Sequence, residues 1–144
     1  MSIETDDLKH TAHCGNYLVN LCHKASYNAG WWTHDKRDLR LVINDPANDS
    51  ERLLGRALVA QKLALVHSEV SEAMEGHRKG LMDDKLPHRP MLEVELADAV
   101  IRIADLAGAL GLDLGGAIAE KMAFNAQRPD HKPEARAAEG GKAF

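Results

Sequence analysis

A chain of 144 residues, 44% hydrophobic and 28% charged, has the size and balance of one soluble domain with a real core to bury. Its formal net charge of -4 removes any general electrostatic reason to bind nucleic acid or an acidic membrane. A polyanionic ligand would therefore need a local device, either a metal or a small cluster of Lys and Arg. No stretch approaches the roughly 18 apolar residues of a membrane span, and MSIETDDLKH lacks a signal-peptide pattern, so a cytoplasmic protein is expected.

A first helix is expected from about Thr5 to Ala25, with Leu18, Leu21, Cys22 and Ala25 on one face. Cys14 and Cys22 fall on that stripe, which reads as buried thiols in a reducing compartment and not as a disulfide. The segment 28–48 carries the breakers Gly30, Asp45 and Pro46, the adjacent Trp31 and Trp32, and a short apolar run from Leu39 to Ile43 that reads as extended. Ser50 or Asp49 then caps a long helix reaching Arg78, with Gly80 as its stop signal.

Residues 81–89 read as a loop, and Pro90 suits the first turn of the next helix. Leu92, Leu96, Ala99, Val100, Ile103, Ala107 and Leu110 recur there at helical spacing, and Gly111 ends the run. Asp113 caps a fourth helix to about Gln127, closed by Pro129. No segment alternates as a strand. The expectation is an all-α bundle of four main helices in one domain, residues 1–129, with a small, polar tail at 130–144 that frays.

Two acidic pairs carry the chemistry. Glu69 and Glu72 in HSEVSEAMEG, and Glu95 and Asp98 in EVELADAVIR, each have i, i+3 spacing, so each pair points one way from its helix. Both pairs interrupt apolar flanks: Glu69 lies beside Val66, Val70 and Ala73, and Glu95 borders Leu92, Ala99 and Leu106. Any single acid of this kind is ordinarily a surface residue, and Asp98 has Arg102 as an i+4 partner. Two matched pairs on consecutive helices point instead to a divalent cation held by hard oxygen ligands, Mg²⁺ or its substitute Mn²⁺. A di-iron site would use Glu-x-x-His, and none of the eight histidines lies three residues after a Glu.

The fourth helix adds cations. Lys121, Asn125 and Arg128 form one stripe at i, i+4 and i+7, continuing the line of Leu114, Ala117 and Ile118 that should face the core. They suit an anion beside a metal, and equally a helix C-terminus whose positive charges complement the dipole. Trp31 and Trp32 offer either a base-stacking platform or a plug for the bundle end. His34, Asp35 and Lys36 lie nearby without a motif of their own. His10, His13, Cys14, Cys22 and His23 match no zinc spacing.

In order along the chain, EVSE from Glu69, ELAD from Glu95 and KMAFNAQR from Lys121 resemble the signature of the MazG-like family of all-α nucleoside triphosphate pyrophosphohydrolases. The resemblance covers about Leu63 to Pro129. It implies hydrolysis between the α and β phosphates of a nucleoside triphosphate, giving a monophosphate and pyrophosphate. Glu69, Glu72, Glu95 and Asp98 would then ligate Mg²⁺, and Lys121, Asn125 and Arg128 would hold phosphate oxygens. A homodimer or homotetramer that completes the bundle is also implied. Two other functions fit the same residues: a non-catalytic helical-bundle interaction or regulatory protein whose acids form salt bridges, and a hydrolase of another phosphoanhydride such as (p)ppGpp.

Overall fold

Helix dominates the chain. The computed structural model describes residues 3–128 together with Lys132 and Ala135; Pro129 and the rest of the expected tail lie outside the described residues. Five helices follow one another: α1 (Thr5–Asn28), α2 (Leu39–Asn44), α3 (Asp49–Lys79), α4 (Met91–Ala109) and α5 (Leu114–Gln127). The expected all-α character holds, and no described helix is long and apolar enough to cross a membrane.

Two local features of the Trp segment differ from expectation. Leu39 to Asn44 is helical, because the Asp38 side chain accepts the Arg40 amide at 2.9 Å and starts the turn. Ahead of it, β1 (Thr33–His34) and β2 (Arg37–Asp38) pair antiparallel. The two residues between them, Asp35 and Lys36, both have positive φ, at 48° and 64°, as a tight hairpin turn requires. Strands of two residues leave no alternation to detect.

The caps of α3 show similar small shifts. Asn48, and not Asp49 or Ser50, is its N-cap, accepting the Glu51 amide at 3.0 Å, while Glu51 accepts the Ala47 amide at 2.9 Å. Gly80 closes the helix at φ 64°, a left-handed position that glycine takes without strain. In the connection that follows, buried Asp83 accepts the Lys85 and Leu86 amides, and Pro90 caps α4 one residue before its first turn.

The chain divides into two compact units, Met1–Tyr17 with Asp113–Phe144, and Leu18–Leu112. In the first, Asn16 ties α1 to the start of α5: its amide nitrogen donates to Asp113 at 2.6 Å and its oxygen accepts the Gly115 amide at 2.9 Å. Asp113 also caps α5 by accepting the Gly116 amide at 3.0 Å, as its position in the sequence suggests.

In the second unit α3 and α4 run antiparallel. Gly76 meets Met91 close to the connection, where a Cβ would lie 2.9 Å from the Met91 Cβ, and Glu69 meets Arg102 further along. Buried Trp32, Leu106 and Ala109 form a core with Leu39, Ile43 and Leu110 packed against it.

The buried faces correct several apolar stripes. In α4 the buried positions are Glu95, Ala99, Ala104, Asp105, Leu106, Ala107 and Ala109, whereas Leu96, Val100 and Ile103 are exposed. This helix is apolar almost all round, so periodicity cannot choose its inner face; close packing selects the small residues. In α1 the buried residues are Val19 and Cys22, while Leu18, Leu21 and Cys14 are exposed. Burial pushes the Cys22 thiol up, away from thiolate chemistry. In α5 the buried residues are Gly115 and Ala119, and the Ala117 and Ile118 line that carries Lys121 is exposed.

Candidate functional site

Antiparallel α3 and α4 bring the two acidic pairs together. One carboxylate oxygen from each of Glu69, Glu95 and Asp98 lies within 4.8 Å of the others. Glu69 and Glu95 are buried, and Asp98 is exposed. Glu72 stands outside this trio but lines the same cleft of about 340 Å³, together with Asp83, Lys85 and Arg102. Among the described residues this is the sole group of three or more His, Cys, Asp or Glu side chains placed to hold a metal. The scattered N-terminal His and Cys residues form none.

The electrostatics match the crowding. Burial, a hydrogen bond to Glu69 and the charges of Glu72, Glu69 and Asp98 push the Glu95 carboxyl up to about 7. Arg102 offsets part of this charge, its Nε donating to Glu69 Oε1 at 2.6 Å. Arg102 thus reaches across to α3 and does not make the i+4 pair with Asp98 that its spacing suggests. Other acids behave as surface residues: Glu75 pairs with Arg78 and Lys79, and Glu93 with Arg89. A set of hard anionic oxygens, two of them buried and mutually repelling, fits a divalent cation of the Mg²⁺ or Mn²⁺ type.

A second cleft, of about 420 Å³, adjoins the first and shares Asp98 and Arg102 with it. Its remaining walls are Ser26, Trp31, Lys62, Leu65, Ile101 and Asp105. The two tryptophans have separate fates. Trp31 is 70% exposed and borders the cleft; Trp32 is 0% exposed and cannot offer a face to any ligand, which corrects its place among the candidate base contacts.

Beneath the cleft lies a buried polar chain. Trp32 Nε1 donates to Asp105 Oδ1 at 2.8 Å, and His23 Nδ1 lies 2.9 Å from the same oxygen. Arg40 Nη1 sits 3.4 Å from His23 Nε2, and a guanidinium only donates. That contact makes Nε2 the acceptor and Nδ1–H the donor to Asp105. Lys62 Nζ covers the Trp32 ring at 4.2 Å from its centroid.

Lys121, Asn125 and Arg128 stand on or at the end of α5, in the other unit. Lys121 is exposed with its Nζ 4.8 Å from the Phe124 ring centroid, and Asn125 Oδ1 is buried without a hydrogen-bond partner among the described residues. His34, Asp35 and Lys36 are exposed in the hairpin.

Sequence reasoning passed over Lys62, Lys85 and Asp105. For Asp105 a signal existed: Asp98, Arg102 and Asp105 follow at i, i+4 and i+7, a polar stripe running along an otherwise apolar helix. Comparison of the chain with protein-family models, with curated proteins and with solved structures returns no match.

Proposed function

We propose that this chain is a Mg²⁺-dependent nucleoside triphosphate pyrophosphohydrolase, of the MazG-like kind that its motifs resemble. The observation that carries the proposal is the convergence of Glu69, Glu95 and Asp98 within 4.8 Å in a cleft that also holds Arg102 and Lys85. A divalent cation bound by these acids would neutralise charge on the phosphate oxygens.

The chain's own residues account for the rest. Water attacks the α phosphorus, a new O–P bond forms, and the bond from the α phosphorus to the bridging oxygen breaks with its electron pair leaving on pyrophosphate. Glu72, beside the trio but outside it, takes the water's proton. Arg102 and Lys85 face the same cleft and suit the triphosphate's negative charge, and Lys121, Asn125 and Arg128 hold phosphate oxygens by the family resemblance. A homo-oligomer belongs to the same proposal: Leu53, Val70, Met74, Leu96 and Val100 leave apolar surface on α3 and α4 that a second copy would cover.

Hydrolysis of mixed deoxynucleoside triphosphates in ¹⁸O-labelled water tests the reaction. The expected result is Mg²⁺-dependent release of pyrophosphate with the label in the monophosphate. Release of orthophosphate, or label in pyrophosphate, would move the attack to another phosphorus and overturn the assignment. The Arg102–Glu69 ion pair favours one second reading, a non-catalytic bundle with structural acids. It predicts no turnover of any phosphoanhydride, (p)ppGpp included, and a loss of stability when any member is neutralised.

A further inference from the structure

The cleft beside the acidic cluster has a wall with unused hydrogen-bonding capacity. Asp105 is only 7% exposed, and its Oδ1 already receives Trp32 Nε1–H and His23 Nδ1–H. Its Oδ2 has no hydrogen-bond partner among the described residues, yet the residue lines the cleft. That oxygen is open to the cleft and can accept a donor from a ligand there. On the same cleft Lys62 has neither ion pair nor hydrogen bond among the described residues, and burial holds its ammonium below the usual lysine range. Leu65, Ile101 and the exposed Trp31 give the cleft apolar or flat walls, and Ser26, Asp98 and Arg102 complete its lining with polar groups.

An acceptor and a donor beside the apolar and flat faces of Leu65, Ile101 and Trp31 suit a flat heterocycle that carries donors next to a carbonyl. Guanine has that edge: N1–H and the N2 amino group stand side by side, with O6 adjacent. Thymine and uracil flank their single N–H with two carbonyls, which a carboxylate repels. Adenine and cytosine place a ring lone pair next to the amino group, and adenine has no carbonyl for Lys62. Asp98 and Arg102 join this cleft to the acidic one, so a base here leaves its phosphates beside the acids.

We infer that the second cleft selects guanine nucleotides, with Asp105 accepting from the N1–H and N2 amino edge and Lys62 donating to O6. The inference rests on the nucleotide reading above and adds the base to it. Asp105 and Lys62 are specificity residues; neither takes part in the phosphate chemistry. Trp32 and His23 act through Asp105, fixing the carboxylate so that Oδ2 is the oxygen left to the ligand.

The test is binding without any divalent cation, so that it does not depend on turnover. The 144-residue chain is titrated with guanosine, inosine and adenosine by calorimetry and by tryptophan fluorescence. Guanosine should bind at least about tenfold more tightly than adenosine, and than inosine, which lacks only the N2 amino group. Lys62→Met should lose about tenfold in guanosine affinity, and Asp105→Asn at least as much. Because Asp105 also holds Trp32 and His23, the Asn variant can fail to fold; the guanosine and inosine pair on the unaltered protein then decides. Equal affinities for guanosine and inosine, or no measurable guanosine binding, overturn the inference. Pyrophosphate release without base preference overturns it as well while leaving the hydrolase proposal standing. Guanosine selectivity without any release does the reverse.

Discussion

Arg102 and Glu69 are joined across α4 and α3 by a 2.6 Å hydrogen bond, with the carboxylate buried and the guanidinium at the mouth shared by both clefts. The arginine is therefore both a local counter-ion for the acids and a cation facing any ligand. These roles separate in Arg102→Gln. Losing a positive charge at this distance should tighten Mg²⁺ binding by roughly tenfold and weaken binding of a non-hydrolysable triphosphate analogue by a similar factor. Calorimetry with each ligand reads the two effects, and a change of the same sign in both would show that Arg102 serves only one of them.

Neutralising the cluster one acid at a time separates charge from fold. Glu69→Gln, Glu72→Gln, Glu95→Gln and Asp98→Asn should each remove most Mg²⁺-dependent turnover while the circular dichroism stays helical. Mg²⁺ at about a hundred times its dissociation constant should stabilise the unaltered protein by about 2.7 kcal/mol, and the variants much less. Retention of normal turnover by two or more of them would disconnect the cluster from the chemistry.

Glu95 gives stability a definite pH signature. Its carboxyl is pushed up to about 7 from an ordinary value of 4.5, so between those values the folded chain holds a proton that the unfolded chain has lost. Stability from this group is full below the unfolded value and falls as pH rises towards about 7, by on the order of 3 kcal/mol without divalent cation. Chemical denaturation in chelator from about pH 5 to about pH 8 measures the slope. Glu95→Gln should flatten it. An unchanged slope in that variant would place the proton elsewhere.

The sequence carries much of this site and little of its surroundings. Glu69, Glu72, Glu95 and Asp98 are legible because an i, i+3 spacing survives any detail of packing, and two helices joined by a short connection pack antiparallel almost by necessity. The inner face of α4 is not legible. Leu96, Val100 and Ile103 have the period of a core stripe, yet they are exposed, while Ala99, Ala104 and Ala107 are buried together with Glu95, Asp105, Leu106 and Ala109. Tertiary choices of the same kind hid Arg102's long reach to Glu69 and the cleft role of Lys62. The short helix α2 was missed because one aspartate cap, Asp38, decides it against a run of residues that suits a strand.

On α5, Lys121 and Arg128 occupy one face seven residues apart, but Arg128 is the C-cap, with extended backbone. Lys121→Ala should therefore weaken binding of a triphosphate analogue more than Arg128→Ala does. Affinities for both variants equal to that of the unaltered protein would remove α5 from the phosphate site.

The adjacent tryptophans supply the sharpest contrast in stability against binding. Trp32 is wholly buried and its indole N–H is bound to Asp105, so Trp32→Ala should cost about 3–5 kcal/mol and lower the melting temperature whatever ligand is present. Trp31 is 70% exposed, and Trp31→Ala should leave stability within about 0.5 kcal/mol. If its ring borders the bound base, that variant raises KM for nucleoside triphosphates with kcat nearly unchanged, as loss of a contact made equally in ground and transition states requires. Thermal unfolding and steady-state kinetics on the two single variants check both halves. A Trp31 variant with unaltered KM and base preference would take that ring out of the cleft's function, leaving Leu65 and Ile101 as its apolar walls.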